Sequence, residues 1–104
     1  MGSKSLVICD PEEYYAQALA FYIMNRKGIH FQVQVCSDIQ HIQETDLLLI
    51  SDAYPEEDRK NVKAKKVFVL SSRGYDAEDS NMIFKYQTGE QILDEILKQC
   101  EEVY

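Results

Sequence analysis

The sequence predicts one α/β domain, a parallel five-stranded sheet with helices on both faces, some of them shortened. Three observations predict it: short unbroken apolar runs, helical segments alternating with them, and a length suited to one core. With 104 residues, residues 1–104 fall within the usual span of a single compact unit and are too few for two cores. A hydrophobic content of 45% against 28% charged residues is that of an ordinary globular domain. No Pro-, Gly- or Ser-rich stretch marks a linker.

The apolar runs Leu6 to Cys9, Leu47 to Ile50, Val67 to Leu70 and Met82 to Phe84 read as strands buried on both faces. Phe31, Val33 and Val35 alternate with Gln32 and Gln34, the period of a half-exposed strand at a sheet edge. A helix follows the first run. Asp10 suits its N-cap, Pro11 its first position and Glu13 the return arm of a capping box, while Asn25-Arg26-Lys27-Gly28 suits its end. Tyr15, Ala18, Leu19, Tyr22 and Ile23 make its core-directed face. A second helix follows Gln87: Thr88 and Gln91 form a capping box, and Ile92, Leu93, Ile96, Leu97 and Cys100 recur at helical spacing. The segments Ile39 to Thr45, Glu56 to Val62 and Tyr75 to Asn81 are short and polar, single turns or loops. Strand and helix in alternation imply a parallel sheet with crossovers on both faces.

A formal charge of -7 argues against nucleic-acid or anionic-membrane surfaces, which gather Lys and Arg, and points to a protein partner. The longest apolar run is far too short to cross a bilayer, and no signal-like block opens the chain, so the expected location is cytoplasmic. Cys9, Cys36 and Cys100 are odd in number and widely spaced, which suits reduced thiols better than a disulfide framework or a zinc site. Met1-Gly2-Ser3 reads as a native start or an expression remnant and carries no structural weight.

In a sheet of this kind functional groups collect at the carboxyl ends of the strands, which here carry Asp10, Ser51, Ser71 and Lys85. The stretch Asp46 to Pro55, DLLLISDAYP, resembles the response-regulator receiver pattern of Asp, four apolar residues, phosphoacceptor Asp, three residues and Pro. Ser51 falls on the acceptor without a gap. VFVLSS, Val67 to Ser72, sets Ser71 on the hydroxyl position, and MIFKYQTGEQIL, Met82 to Leu93, sets Lys85 on the lysine, with Tyr86 where receivers usually carry Pro. LVICDPEE supplies Asp10 but offers Pro11 or Cys9 in place of a second acid. The chain is thus similar to a degenerate receiver of the CheY-like superfamily. Within it, the resemblance is to the atypical receivers at the N-terminus of TadZ/CpaE-like Flp pilus-assembly proteins, in bacteria. That resemblance implies a flavodoxin/CheY-like three-layer fold with strand order 2-1-3-4-5. It also implies an ATPase domain beyond residue 104, since no phosphate-binding Gly-Lys loop lies within the chain, and recruitment to a cell pole or secretion apparatus.

Acyl-phosphate formation requires a carboxylate nucleophile and a magnesium ion held by carboxylate oxygens. Ser51 offers neither, and the weak metal candidates are Asp10 and Glu12. The expected role is therefore phosphorylation-independent protein interaction, dimerisation or localisation, with no catalytic residue and no cofactor. The alternative is a working receiver that takes its phosphoryl group, with magnesium, on Asp52; that requires a bulge, because a one-residue shift sends a side chain to the other face. A third reading, phosphoryl transfer on Cys9, is opposed by Asp10, Glu12 and Glu13, which would repel a dianion and raise the thiol pKa. Each residue also has a purely structural reading: Asp10 as a helix cap, Ser71 as a strand-end turn residue, Lys85 as a partner for Asp10 or a solvated cation.

Two surfaces are candidates for a partner, with a homodimer the expected assembly. Tyr14, Phe21 and Met24 form a second apolar stripe on the first helix; the rival is the face carrying Tyr75, Tyr86 and Gln87.

Overall fold

A computed structural model describes residues 4–26, 28, 30–73 and 81–101. Its elements run β1 (Lys4–Cys9), α1 (Glu13–Met24), β2 (Phe31–Cys36), a 3-10 turn (Ile39–His41), β3 (Thr45–Ser51), α2 (Glu56–Lys60), β4 (Ala64–Ser71), β5 (Met82–Phe84) and α3 (Gly89–Glu101). All strand pairs are parallel, in the order β2-β1-β3-β4-β5. The topology is CheY-like, of the flavodoxin type, as expected. The segment Tyr75 to Asn81, whose first six residues include Tyr75, lies outside the described residues except for Asn81.

Alternation along the strands sorts the core into two layers. Leu6, Ile8, Leu47, Leu49, Phe68, Leu70 and Ile83 face one side, where Ala16, Leu19, Ala20 and Ile23 of α1 and Ile92, Leu93 and Ile96 of α3 cover them. Val7, Cys9, Leu48 and Ile50 face the other, under Ile39, Ile42, Tyr54 and Val62. That second cover is thin. α2 is five residues long and buries none of them, so loop side chains do what a full helix does on the first face.

β2 is the edge strand that its alternation predicted, with Gln32 and Gln34 exposed. Two features of α1 differ from the sequence reading. It begins at Glu13 rather than behind an Asp10 cap, and no side-chain capping bond closes its start. Asp10 instead forms a tight turn, accepting from the Glu12 N–H at 2.8 Å, because its other oxygen is held by a buried cation described below. Ala18 is exposed, and Ala16 and Ala20 take its place against the sheet; the helix packs closely there because both are small.

The capping box of α3 forms in both directions: Gln91 N–H donates to Thr88 Oγ1 at 3.1 Å, and Thr88 N–H to Gln91 Oε1 at 3.2 Å. Gly89 lets the start of this helix rest on α1, since a Cβ there would sit 3.0 Å from the Tyr22 ring.

Leu49 is fully buried at the centre of the better-covered layer. Leu49→Ala is expected to lower unfolding stability by about 2–5 kcal/mol, and Val67→Ala, on the thinly covered side, by less; urea denaturation at constant m-value checks both.

Candidate functional site

The carboxyl ends of β1, β3, β4 and β5 bring Asp10, Ser51, Ser71 and Lys85 to one end of the sheet, and all four are buried. Strand alternation then divides them. Asp10, Ser51 and Lys85 continue the rows of Ile8, Leu49 and Ile83 toward the α1/α3 side, while Asp52 and Ser71 fall in the opposite phase.

Lys85 is the centre of the cluster. Its side chain is 2% exposed, and its Nζ donates to Asp10 Oδ2 at 2.7 Å and to Glu12 Oε1 at 2.9 Å. The remaining directions are closed by aromatic faces: Nζ lies 4.5 Å from the Tyr15 ring centre and 5.4 Å from that of Tyr86, a range in which a cation is attracted to the ring quadrupole. Tyr86 also donates its hydroxyl to Glu12 Oε1 at 2.9 Å and meets Tyr15 and Phe84 edge to face. Burial acts to lower the Lys85 pKa, but the hydrogen bonds and charges of Asp10 and Glu12 outweigh it and hold the ammonium above its ordinary value. Glu12 is held below the ordinary carboxylate value by the hydrogen bonds from Lys85 and Tyr86.

The two serines are turn formers. Ser51 Oγ accepts from the Ala53 N–H at 3.0 Å, and Ser71 Oγ from the Arg73 N–H at 3.2 Å. Each bond returns the chain from strand to loop, as serine side chains do at such turns. Asp52 lies outside the lysine cluster's hydrogen bonding: its carboxylate accepts from the Ser72 N–H at 3.2 Å and the Ser72 hydroxyl at 3.3 Å, tying the end of β3 to the end of β4.

A magnesium ion does not fit this donor set. Asp10 Oδ1 accepts from Glu12 N–H and Oδ2 from Lys85, Glu12 Oε1 takes Lys85 and Tyr86, and Ser51 contributes a neutral oxygen. Among the described residues no group of three or more His, Cys, Asp or Glu could hold a metal. The ammonium already supplies the positive charge that the two carboxylates would otherwise take from an ion.

Cys9 points to the thinly covered face beside Val7, Leu48 and Ile50 and is fully buried. Burial pushes its thiol pKa up to about 12, against a lowering bond from Tyr54. The thiolate that phosphoryl chemistry requires is therefore disfavoured there.

Of the partner candidates, Tyr14 is 90% exposed, Phe21 68% and Met24 53%. Tyr86 is half engaged through Glu12, Gln87 lines a groove of about 220 Å³ between α1 and α3, and Tyr75 falls outside the described residues. Sequence reading missed Tyr15 and Tyr86 as walls of the lysine site. The signal for Tyr15 was its position five residues after Asp10, in the first turn of α1 next to the strand end.

No protein-family model matches the chain, and a search of curated proteins gives no match. One similar solved structure is a fusion carrying the yeast Spc42 trimeric coiled coil, amino acids 181-211, with a TM-score of 0.71, 14% identity, and coverage of 99% of this chain and 82% of that one. At that identity the likeness shows the fold alone.

Removing one member of a buried pair strands the other charge. Lys85→Met is expected to cost about 3–5 kcal/mol, and adding Asp10→Asn to recover at least ~1 kcal/mol, because the amide oxygen still accepts from Glu12 N–H while the stranded charge is gone. Urea unfolding of the two variants measures the difference. The pH profile carries the same logic. Glu12, lowered on folding, contributes stability that is complete above its ordinary 4.5 and is lost as pH falls through the folded value; Lys85, raised, contributes fully below 10.5 and loses that only at higher pH. Glu12→Gln should flatten the acid limb of a stability-against-pH curve and leave the neutral-to-pH-9 plateau level.

Proposed function

We propose that this chain is a degenerate receiver domain that acts through protein contacts, independent of phosphorylation, as the N-terminal part of a TadZ/CpaE-like pilus-assembly protein. The observation that carries the reading is Ser51, which the resemblance sets on the acceptor position and whose buried hydroxyl accepts from Ala53 N–H, with no hydrogen bond to a base among the described residues. A serine without a positioned base is a weak nucleophile, and an acyl phosphate cannot form on a hydroxyl. The lysine cluster supports the same reading. In a phosphoryl-transfer site the lysine must be available to the incoming group, whereas Lys85 is enclosed by two carboxylates and two rings.

On this reading the chain has no catalytic residue of its own, and Asp10, Ser51, Ser71 and Lys85 keep the fold rather than a reaction. Its partners are proteins, a second copy foremost, with an ATPase domain joined to it in the full-length protein. Its place is the cytoplasmic side of a cell pole or secretion apparatus. Among the described residues no helix is long and apolar enough to cross a membrane.

Beryllofluoride with magnesium mimics a phosphoryl group on a carboxylate acceptor and tests the reading directly. The expected result is no saturable shift of the Ser51, Asp52 or Lys85 amide signals in heteronuclear NMR spectra. Saturable shifts would overturn it; their loss in Asp52→Ala would identify Asp52 as the acceptor of a working receiver.

A further inference from the structure

Of the two edges of the sheet, β5 is three residues long and β2 is six. An edge strand presents an unpaired row of N–H and C=O groups to any second strand, and folded domains ordinarily blunt it with a charged side chain, a proline, a bulge or a short strand. β5 is blunted by its length. β2, Phe31–Cys36, uses none of these devices: it holds no Asp, Glu, Lys, Arg or Pro, and it stays in register with β1 from Lys4 opposite Phe31 to Cys9 opposite Cys36 without a bulge.

The direction of its free backbone groups follows from one bond. The Cys36 carbonyl accepts from Asp10 N–H at 3.2 Å and so faces β1. In an extended strand the N–H and C=O of one residue point the same way, and alternate residues point oppositely. Gln34 and Gln32 therefore also face β1, while Phe31, Val33 and Val35 turn their backbone groups to the open side, where no strand neighbours β2.

We infer that β2 pairs antiparallel with β2 of a second copy, across a two-fold axis at Val33, joining two five-stranded sheets into one. A two-fold axis perpendicular to the sheet sets two identical strands antiparallel and requires residues opposite each other to share a face. With Val33 opposite Val33, Phe31 falls opposite Val35 in both directions, so every outward N–H of each strand meets an outward carbonyl of the other. An axis at Gln32 or Gln34 sets one outward residue beyond the partner's strand end. An axis between residues sets outward groups against ones already bonded to β1.

The side chains agree with this register. Phe31 and Val35 make aromatic to β-branched cross-strand pairs on the α1 side, where Phe31 and Val33 are half-buried against the core and Val35 is 36% exposed. On the other face Gln32 lies opposite Gln34, and a primary amide both donates and accepts, so each pair satisfies itself. A two-fold pairing uses the β2 edge of both copies and leaves only the short β5 edges, so assembly stops at two.

The inference rests on the interaction-module reading and deepens it by naming the partner and the surface; the phosphoryl-mimic test does not depend on assembly, so the two fail separately. Sedimentation equilibrium of the chain up to about 1 mM, at physiological salt, is expected to show a reversible monomer–dimer equilibrium. Amide exchange followed by NMR should be fast at Phe31, Val33 and Val35 in dilute solution and slow at least about tenfold as the dimer forms, while Gln32 and Gln34, bonded to β1, stay slow throughout. Val35→Pro removes an outward N–H without touching the β1 ladder and should weaken the dimer at least about tenfold. Side-chain variants read the register with the backbone unchanged. Gln32→Lys with Gln34→Lys sets base opposite base and should weaken the dimer although it lowers the net charge, whereas Gln32→Lys with Gln34→Glu sets base opposite acid and should preserve it. A strictly monomeric chain overturns the inference and leaves the edge to an extended segment of another protein. A dimer indifferent to Val35→Pro overturns it too, as does one that holds the two lysine-bearing pairs equally well, or outward amides whose exchange ignores concentration.

Discussion

A lysine ammonium can be enclosed in a protein interior only if opposite charge is brought to meet it, and this domain arranges its carboxyl edge around that requirement. Asp10 follows β1 and Lys85 follows β5, the strand farthest from it on that side of the sheet. Their contact spans the ends of β3 and β4, and it explains several local departures at once. Asp10 is withdrawn from helix capping, α1 starts late, Glu12 turns back over the lysine, and Tyr15 and Tyr86 present their faces to it. β5 has three residues and a single neighbouring strand; the ion pair adds to the Lys85 N–H bond to the Ser71 carbonyl, at 3.0 Å, in fixing its carboxyl end to the rest of the sheet.

The two faces of the sheet are built to different standards. On one, α1 and α3 interleave Leu, Ile and Ala against a complete row of strand residues, and Gly89 allows the helices to touch. On the other, a 3-10 turn, a single turn of helix and the Tyr54 side chain cover four buried residues. Tyr54 secures that cover by donating its hydroxyl to the Ser37 carbonyl at 2.6 Å. The residues that gave the acceptor pattern its register are also explained by structure. Asp46 accepts from the Ser5 N–H and hydroxyl, and Ser5 accepts from the Asp46 N–H, which latches β1 to β3 at the end remote from the lysine. Pro55 begins α2. A spacing associated with chemistry is thus maintained here by contacts that do none.

The strands, the edge position of β2 and the α3 capping box were legible in the sequence because each depends on local period or on residues three apart, whereas the sheet order came with the resemblance to receivers. The collection of Asp10, Ser51, Ser71 and Lys85 at strand ends was legible for the same reason: alternation and topology fix where a strand stops. The internal arrangement of the site was not. Asp10 turns onto the Glu12 N–H instead of capping a helix because its other oxygen meets the ammonium of a residue 75 positions away, and no short-range pattern records that distant partner. Ala18 was misplaced as well: the helix starts two residues later than expected and settles on Ala16 and Ala20, which leaves Ala18 facing outward.

The separation between Asp10 and Lys85 also has a consequence in time. A ribosome adds roughly 5–20 residues per second, so the acid emerges several seconds before its counter-ion. Until then β1, α1 and β3 can associate only with Asp10 still hydrated, and the closing of the carboxyl edge waits for the last fifth of the chain. The pair is a late contact that few other contacts can replace, so it acts more on how long the finished domain stays folded than on how quickly it first collapses.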